Sequence, residues 1–406
     1  MASYDHPRAY LDYNATAPLR PEAREAMLAA IDSVGNPSSI HAEGRAARAI
    51  VEEARRAVAE LVGVAPRCVV FTSGGTEAAN LALNPAIDAP GLKAPLARLI
   101  VGAGEHPCVL QGHRFAPDSV ATAPLGADGR IDLAALAGLL AARDGRPALL
   151  ALQGANNETG VIQPVAEAAA SVHDAGGLVV CDAVQLAGRA SLDIAALGAD
   201  FLFLAAHKLG GPKGAGALVA ARSDLTIGAP LLRGGGQERG ARAGTENVAA
   251  IAGFGAAARV AGTQAASESV RLADLRDRLA ARVRERASDV VIFGEAAPRL
   301  SNTLCFAVPG LAAATLVIAL DLAGVAVSAG SACSSGKVGR SHVLDAMGVE
   351  PELAAGAIRL SLGWASREAD AAHFEAAFAE TMARLRRRRG RPFTPPGNSD
   401  ALETHI

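Results

Sequence analysis

A chain of 406 residues is too long for one small core, and with half of them hydrophobic but only 3% aromatic, Ala, Leu and Val must build what it buries. The charges nearly cancel, at net −2, which leaves no electrostatic case for nucleic acid or an anionic membrane, and no apolar run approaches ~18 residues. Five irregularly spaced cysteines form neither a disulfide framework nor a zinc pattern, and Met1–Arg8 has no apolar signal core, so a reducing, cytoplasmic setting is expected.

Ala9–Leu11 reads as a short strand, followed by the turn-rich segment Asp12–Pro18. Pro21–Ile31 and Ala42–Val62 have helical spacing. Seven continuous apolar runs then follow, at Cys68–Phe71, Leu99–Val101, Val120–Ala123, Ala148–Leu152, Leu178–Cys181, Phe201–Leu204 and Ala217–Ala220. Helical stretches such as Leu133–Ala142 and Val165–Ala175 separate them. Such alternation predicts a mostly parallel seven-stranded α/β sheet covered on both faces. Thr245–Gly262 and Ser267–Arg286 read as two long helices. Beyond them the spacing predicts strands at Val290–Phe293, Thr303–Val308 and Ile358–Leu362, and helices at Ala312–Leu322 and Glu368–Arg388. The expected division is a large domain over 17–262, a smaller α+β domain from 1–16 and 263–390, and a mobile tail over 391–406.

In an open parallel sheet, ligands bind beyond the carboxyl ends of the strands. Polar motifs follow five of these strands: Thr72–Glu77, Gly104–His106, Ala155–Gly160, Asp182–Gln185 and His207–Lys208. Thr72–Thr76 opens a helix and suits a phosphate, although taken alone it serves as well as a plain N-cap through Ser73 or Thr76. Asp182 at a strand end suits a protonated ring nitrogen, or is simply a turn aspartate. His106 suits stacking on a flat ring or proton transfer, or is a structural histidine. Lys208, placed where a strand leaves the sheet, can be partly desolvated and freed as a nucleophile; taken alone it reads as a solvated loop lysine, as Lys213 does, and the company it keeps elsewhere in the chain sets it apart. A reactive lysine, an aspartate for a pyridinium and a helix N-terminus for a phosphate are the three handles of pyridoxal phosphate.

The arrangement resembles the fold-type I pyridoxal-phosphate enzymes of the class V aminotransferase-like group, and within it the cysteine desulfurases of the nitrogenase and iron–sulfur-cluster type. The resemblance runs from Tyr10–Pro18 to Ile358–Gly363 through Phe71–Glu77, Asn156–Gly160, Gly234–Gly240 and Arg242–Asn247. It implies that Lys208 carries the cofactor covalently, Asp182 faces the pyridine nitrogen, Gln185 and Asn157 approach the ring hydroxyl, and His106 stacks over the ring. Gly75, Thr76 and His207 would hold the phosphate, with Thr245 reaching in from the other subunit of a homodimer. Ala205 departs from the pattern, since many relatives have serine there, so one phosphate donor is missing or replaced.

Cys68, Cys181 and Cys305 lie within predicted strands and read as inert, while Cys108 follows His106–Pro107 at a predicted helix start and is expected to be mildly activated. Cys333 lies in a small-residue loop with Lys337 and Arg340 nearby, which favours a thiolate; taken alone it is more readily an exposed thiol of no importance. The resemblance makes it the persulfide-forming cysteine and a transient iron–sulfur ligand, the chain holding no metal of its own. Arg359, mid-strand with Ile358 and Leu360 on the opposite face, is expected to point into a cleft and grip an α-carboxylate, with Asn157 assisting. The activity so implied converts L-cysteine to L-alanine: Lys208 removes the α-proton, Cys333 takes the sulfur, and His106 exchanges protons near it. The sulfur would pass to an acceptor such as an iron–sulfur scaffold protein. A selenocysteine lyase is the alternative within the group.

Overall fold

The computed structural model describes residues 8–141, 146–330 and 340–389, the side chains of 386–389 excepted. The tail expected to be mobile lies outside these residues. All seven apolar runs form strands of one sheet, in the order Val69–Thr72, Gly216–Ala220, Phe201–Ala205, Leu178–Asp182, Ala148–Gln153, Arg98–Gly102 and Val120–Ala123. The last five run parallel, and Gly216–Ala220 is antiparallel to both of its neighbours. Ala148–Gln153, Leu178–Asp182, Phe201–Ala205 and Gly216–Ala220 are hydrophobic runs buried on both faces, whereas the edge strand Val120–Ala123 leaves Thr122 exposed. Leu150, Leu152, Leu202 and Leu204 enter one core with the helix Ala42–Val62, while Leu149, Ala151, Phe201 and Phe203 enter another with the helix Gly75–Ala82.

The single antiparallel strand brings its first residue, Gly216, to the same rim as the ends of the parallel strands. A Cβ there would lie 2.5 Å from the carbonyl carbon of Gly74 and 2.7 Å from the oxygen of Leu204. Only glycine lets the turn after Val69–Thr72 lie against this strand.

One expectation fails in the second half of the chain. Val248–Arg286 is a single helix of 39 residues, not two. Gly262 is a weak breaker, costing about 1 kcal/mol against Ala, and no proline interrupts the register. Asn247 caps the helix by accepting from the N–H of Ala250 at 3.1 Å. The apolar side chains Ile251, Phe254 and Ala258 join the first core, and Leu272, Leu275 and Leu279 join a separate one. That separate core packs under a four-stranded antiparallel sheet, Val291–Ile292, Thr303–Ala307, Ile358–Ser361 and Ser328–Ala329.

Ala9 and Leu11 also belong to the second core, and Ala9–Tyr10 pairs in parallel with Val325–Ala326. The chain then passes Ser361, which takes the N–H of Tyr13 on its carbonyl and that of Asn14 on its hydroxyl. It meets the rim of the large sheet where Ala17 donates to the carbonyl of His207 at 2.9 Å. Residues 12–17 therefore lie across the mouth of the sheet. Among the described residues, no helix is long and apolar enough to cross a membrane.

Candidate active site

The turns after the strands Arg98–Gly102, Ala148–Gln153, Leu178–Asp182 and Phe201–Ala205 bring residues into a common cleft of about 400 Å³, to which the edge strand Val120–Ala123 adds none. Its walls include Gly75, Thr76, His106, Asn157, Asp182, Gln185, His207 and Lys208, eight of the predicted site residues. Their sequence separations are large, so only the parallel register brings them together.

Lys208 stands at the end of a short turn of helix after Phe201–Ala205, and its Nζ donates to the carbonyls of Asn14 at 2.6 Å and Ala15 at 2.9 Å. The crossing segment thus holds the amine at the cleft wall. Asp182 is 9% exposed and accepts from the N–H of Val184 at 2.9 Å. Burial pushes its pKa from 3.8 to about 6, partly offset by that hydrogen bond and by the Lys208 charge. A carboxyl so placed favours a cationic partner in the cleft.

His106 begins the short helix Pro107–Leu110, and its Nδ1 accepts from the N–H of Cys108 at 3.1 Å. Burial, then the charges of Lys208 and His342, lower its pKa to about 4. The ring is therefore neutral at pH 7, and with Nδ1 accepting, its proton sits on Nε2. His207 is likewise held down to about 4, by burial and then Lys208, and its Nδ1 lies 3.1 Å from the hydroxyl of Thr16. Gln185 donates to the carbonyl of Asn14 at 3.2 Å and accepts from buried Arg189.

Gly75 and Thr76 open the helix Gly75–Ala82, whose cap position is Gly74 with no side-chain cap. The plain N-cap reading therefore does not apply to Ser73 or Thr76. Thr72 Oγ1 donates to the carbonyl of Gly74 at 2.9 Å, and the N–H of Ser73 donates to Glu77 at 2.8 Å. A Cβ on Gly75 would lie 3.3 Å from Val184 Cγ2 and 3.4 Å from the Cβ of buried Ala205, so the turn is drawn tightly over the sheet.

Two predicted residues stand apart from the cleft wall. Arg359 is fully buried rather than pointing into the cleft. Its Nη1 donates to the carbonyl of Asn157 at 2.9 Å and its Nη2 to Asp12 at 2.7 Å, and both of those residues line the cleft. Thr245 lines a different cleft of the same chain, with Thr72, Ser73 and Arg242. Cys333 lies outside the described residues.

Cys108 corrects the sequence reading. It lines the cleft at a helix start, but burial, followed by the charges of Asp182 and Glu105, pushes its thiol well up. It is not activated. Sequence reasoning also missed Asp12 and Ser328, which hydrogen bond to each other at 3.0 Å and line the cleft. Asn14 was missed too: fully buried, it donates to Thr303 Oγ1 at 2.9 Å and to the carbonyl of Asn157 at 3.1 Å. The one available signal was the density of polar residues in Asp12–Thr16. Glu105 is fully buried as well, accepts from the N–H of Gln153 at 2.7 Å, and is pushed well above the carboxylate range by burial.

The aminotransferase class-V family profile matches residues 9–374. An IscS-like cysteine desulfurase of Mycobacterium tuberculosis is 42% identical over 368 residues, covering 89% of this chain and 93% of that one. A cysteine desulfurase of Cereibacter sphaeroides is 43% identical over 363 residues, covering 87% and 90%. Among solved structures, a NifS-like protein from Rickettsia africae superposes with a TM-score of 0.83 at 33% identity, covering 93% of this chain and all of that one.

Proposed function

The chain belongs to the aminotransferase class-V family, among its cysteine desulfurases, and from that membership we propose how its residues divide the work. It is a pyridoxal-phosphate-dependent enzyme that takes the sulfur of L-cysteine and leaves L-alanine. The observation that carries the reading is the convergence of Lys208, Asp182, His106, Gln185 and the helix start Gly75–Thr76 on one cleft. These residues fit the cofactor: a buried carboxyl for a ring nitrogen, an amine at a strand end, and free backbone N–H groups beneath a tightly drawn turn.

Bound pyridoxal phosphate supplies the electron sink that makes the substrate's Cα proton removable. Lys208 would hold it covalently and would carry that proton, for which its amine must leave the carbonyls of Asn14 and Ala15. Asp182 would face the ring nitrogen, Gln185 and Asn157 would approach the ring hydroxyl, and neutral His106 would lie over the ring. Gly75, Thr76 and His207 would hold the phosphate, with Ala205 unable to add a donor. Asn157 and Arg359 would receive the substrate carboxylate, which requires the buried guanidinium to turn Nη1 from the Asn157 carbonyl toward the cleft while Asp12 keeps hold of Nη2. The Cys333 thiolate attacks the substrate sulfur, so that an S–S bond forms as the Cβ–S bond breaks. The electron pair of that bond stays with the amino-acid carbon, which takes up a proton, and Nε2–H of His106 stands ready to exchange protons there.

Homodimerisation, with Thr245 serving the partner subunit's site, follows from the family pattern and agrees with Thr245 lying away from its own cleft. Delivery of the persulfide sulfur to an iron–sulfur scaffold protein in the cytoplasm completes the proposal. Incubation with L-cysteine should yield alanine and, with reductant, sulfide in equal amounts. Cys333→Ser should bind cysteine and perturb the visible spectrum yet release no sulfur, because a hydroxyl cannot form a persulfide. Lys208→Ala should lose the lysine-linked absorbance altogether. Wild-type turnover by Cys333→Ser would remove that cysteine from the mechanism.

A further inference from the structure

Outside the cleft, Glu238 (φ 47°, ψ 37°) and Arg239 (φ 57°, ψ 31°) both occupy the left-handed region, on the segment that leads to Thr245. Consecutive L-residues persist there only where their surroundings over-determine them. Here they do. Glu238 is 5% exposed; its Oε1 accepts from Arg55 Nη2 at 2.8 Å, and its Oε2 from Arg55 Nη1 at 2.7 Å and from the N–H of Phe71 at 3.0 Å. Arg55 Nη1 and Arg239 Nη2 also donate to the carbonyl of Val69, at 2.9 and 2.8 Å. Val69–Thr72 is an edge strand of the large sheet. Side chains from the helix Ala42–Val62 and from this segment therefore occupy groups that a further strand would otherwise pair.

The same segment is tied down twice more on the way to Thr245. Gln237 Oε1 accepts from the N–H of Gly244 at 3.2 Å, and Arg242 Nε pairs with Glu77 at 3.0 Å. Glu77 belongs to the helix that begins with Gly75 and Thr76. One buried carboxylate thus links an edge strand, a helix and a strained turn whose far end is Thr245.

We infer that Glu238, through Arg55, is a positioning residue that fixes segment 237–247 so that each chain presents Thr245 to the cofactor phosphate of the partner subunit. Glu238 thereby sets how long the opposite site retains its cofactor. This rests on the proposed action of Thr245 across a homodimer.

Mixed dimers of differently tagged chains test it. Lys208→Ala in one chain confines covalent retention to the other chain's site, and Glu238→Gln is placed either beside Lys208→Ala or in the opposite chain. Cofactor release after gel filtration is followed by loss of visible absorbance. Release should quicken roughly tenfold, as for one charge-assisted hydrogen bond lost, when Glu238→Gln shares the chain with Lys208→Ala. It should match the dimer lacking Glu238→Gln when the two lie in opposite chains. Quickening only in the second arrangement would mean that Glu238 acts on its own chain through Phe71, and no change in either would remove its role; both overturn the inference. Thr245→Ala in the same arrangements separates this from the underlying reading. If Thr245→Ala acts across the dimer and Glu238→Gln does not, the inference alone falls. If Thr245→Ala acts only on its own chain's site, the dimer reading falls. Should the Gln variant not fold, Glu238→Asp, which keeps the charge and shortens the reach, goes through the same comparison.

Discussion

Asp182 stores a cost in the cofactor-free fold. Its pKa lies above the ordinary 3.8, at about 6, because burial disfavours the carboxylate. The native state therefore binds a proton that the unfolded chain has released, and stability falls as pH rises through the folded value. Below about pH 4 both states are protonated and the cost vanishes. The gap amounts to about 3 kcal/mol. Asp182→Asn, which can still accept from Val184, should stabilise the cofactor-free protein by up to that amount at pH 8 and by nothing near pH 3.5. Thermal melts at the two pH values check this, and cofactor binding should weaken in the same variant. Arg359→Lys makes a second test. A lysine cannot serve Asn157, Asp12 and a carboxylate in one plane, so KM for cysteine should rise roughly ten- to a hundredfold with the resting spectrum unchanged. Lys208, Asp182 and Gln185 were legible in the sequence as candidates because each lies within a few residues of the end of an apolar run. Asp12 and Asn14 were not, since their partners Arg359, Ser361 and Thr303 lie about three hundred residues away. Cys108 was misread because a helix start suggests an activated thiol only while burial is left out.

The seven strands were legible to within a residue or two, the central ones because full burial makes their runs continuous. The short strands Val325–Ala326 and Ser328–Ala329 were not, because two residues carry no periodicity. The long helix was split at Gly262, where composition loosens but nothing breaks the hydrogen-bond ladder. That difference is measurable. A Cβ on Gly262 would meet only the flexible end of Leu61, at 3.3 Å, whereas one on Gly255 would lie 2.5 Å from the Cα of Ala54. Gly262→Ala should gain about 0.5–1 kcal/mol, from helix propensity. Gly255→Ala should lose about 1–3 kcal/mol, because the neighbouring backbone cannot yield. Urea midpoints of the two variants should move in opposite directions.

The large sheet and the smaller antiparallel sheet have separate cores, yet the long helix contributes to both and residues 9–17 run between them. The single tryptophan reports on this junction. Trp364 donates to the carbonyl of Pro18 at 3.0 Å, and the Arg20 guanidinium lies 5.2 Å from its ring. With one helix shared by both cores, opening the junction should expose each of them. Tryptophan fluorescence and far-UV circular dichroism should therefore share one urea midpoint. An earlier fluorescence transition would show the two halves separating before either unfolds.

The carbonyls that hold Lys208 belong to Asn14 and Ala15, and this segment is seated by Ala326, Arg359 and Ser361. The ribosome makes the first of these strands early and its seat last. A nascent chain carrying the complete large sheet still has residues 9–15 with nothing to lie against, and its lysine lacks both carbonyl partners. Only after residue 361 has cleared the exit tunnel can the two ends of the polypeptide meet. The restraint that seats the Lys208 amine at the cleft wall is thus a property of the finished chain, and prematurely terminated products should carry that amine unheld.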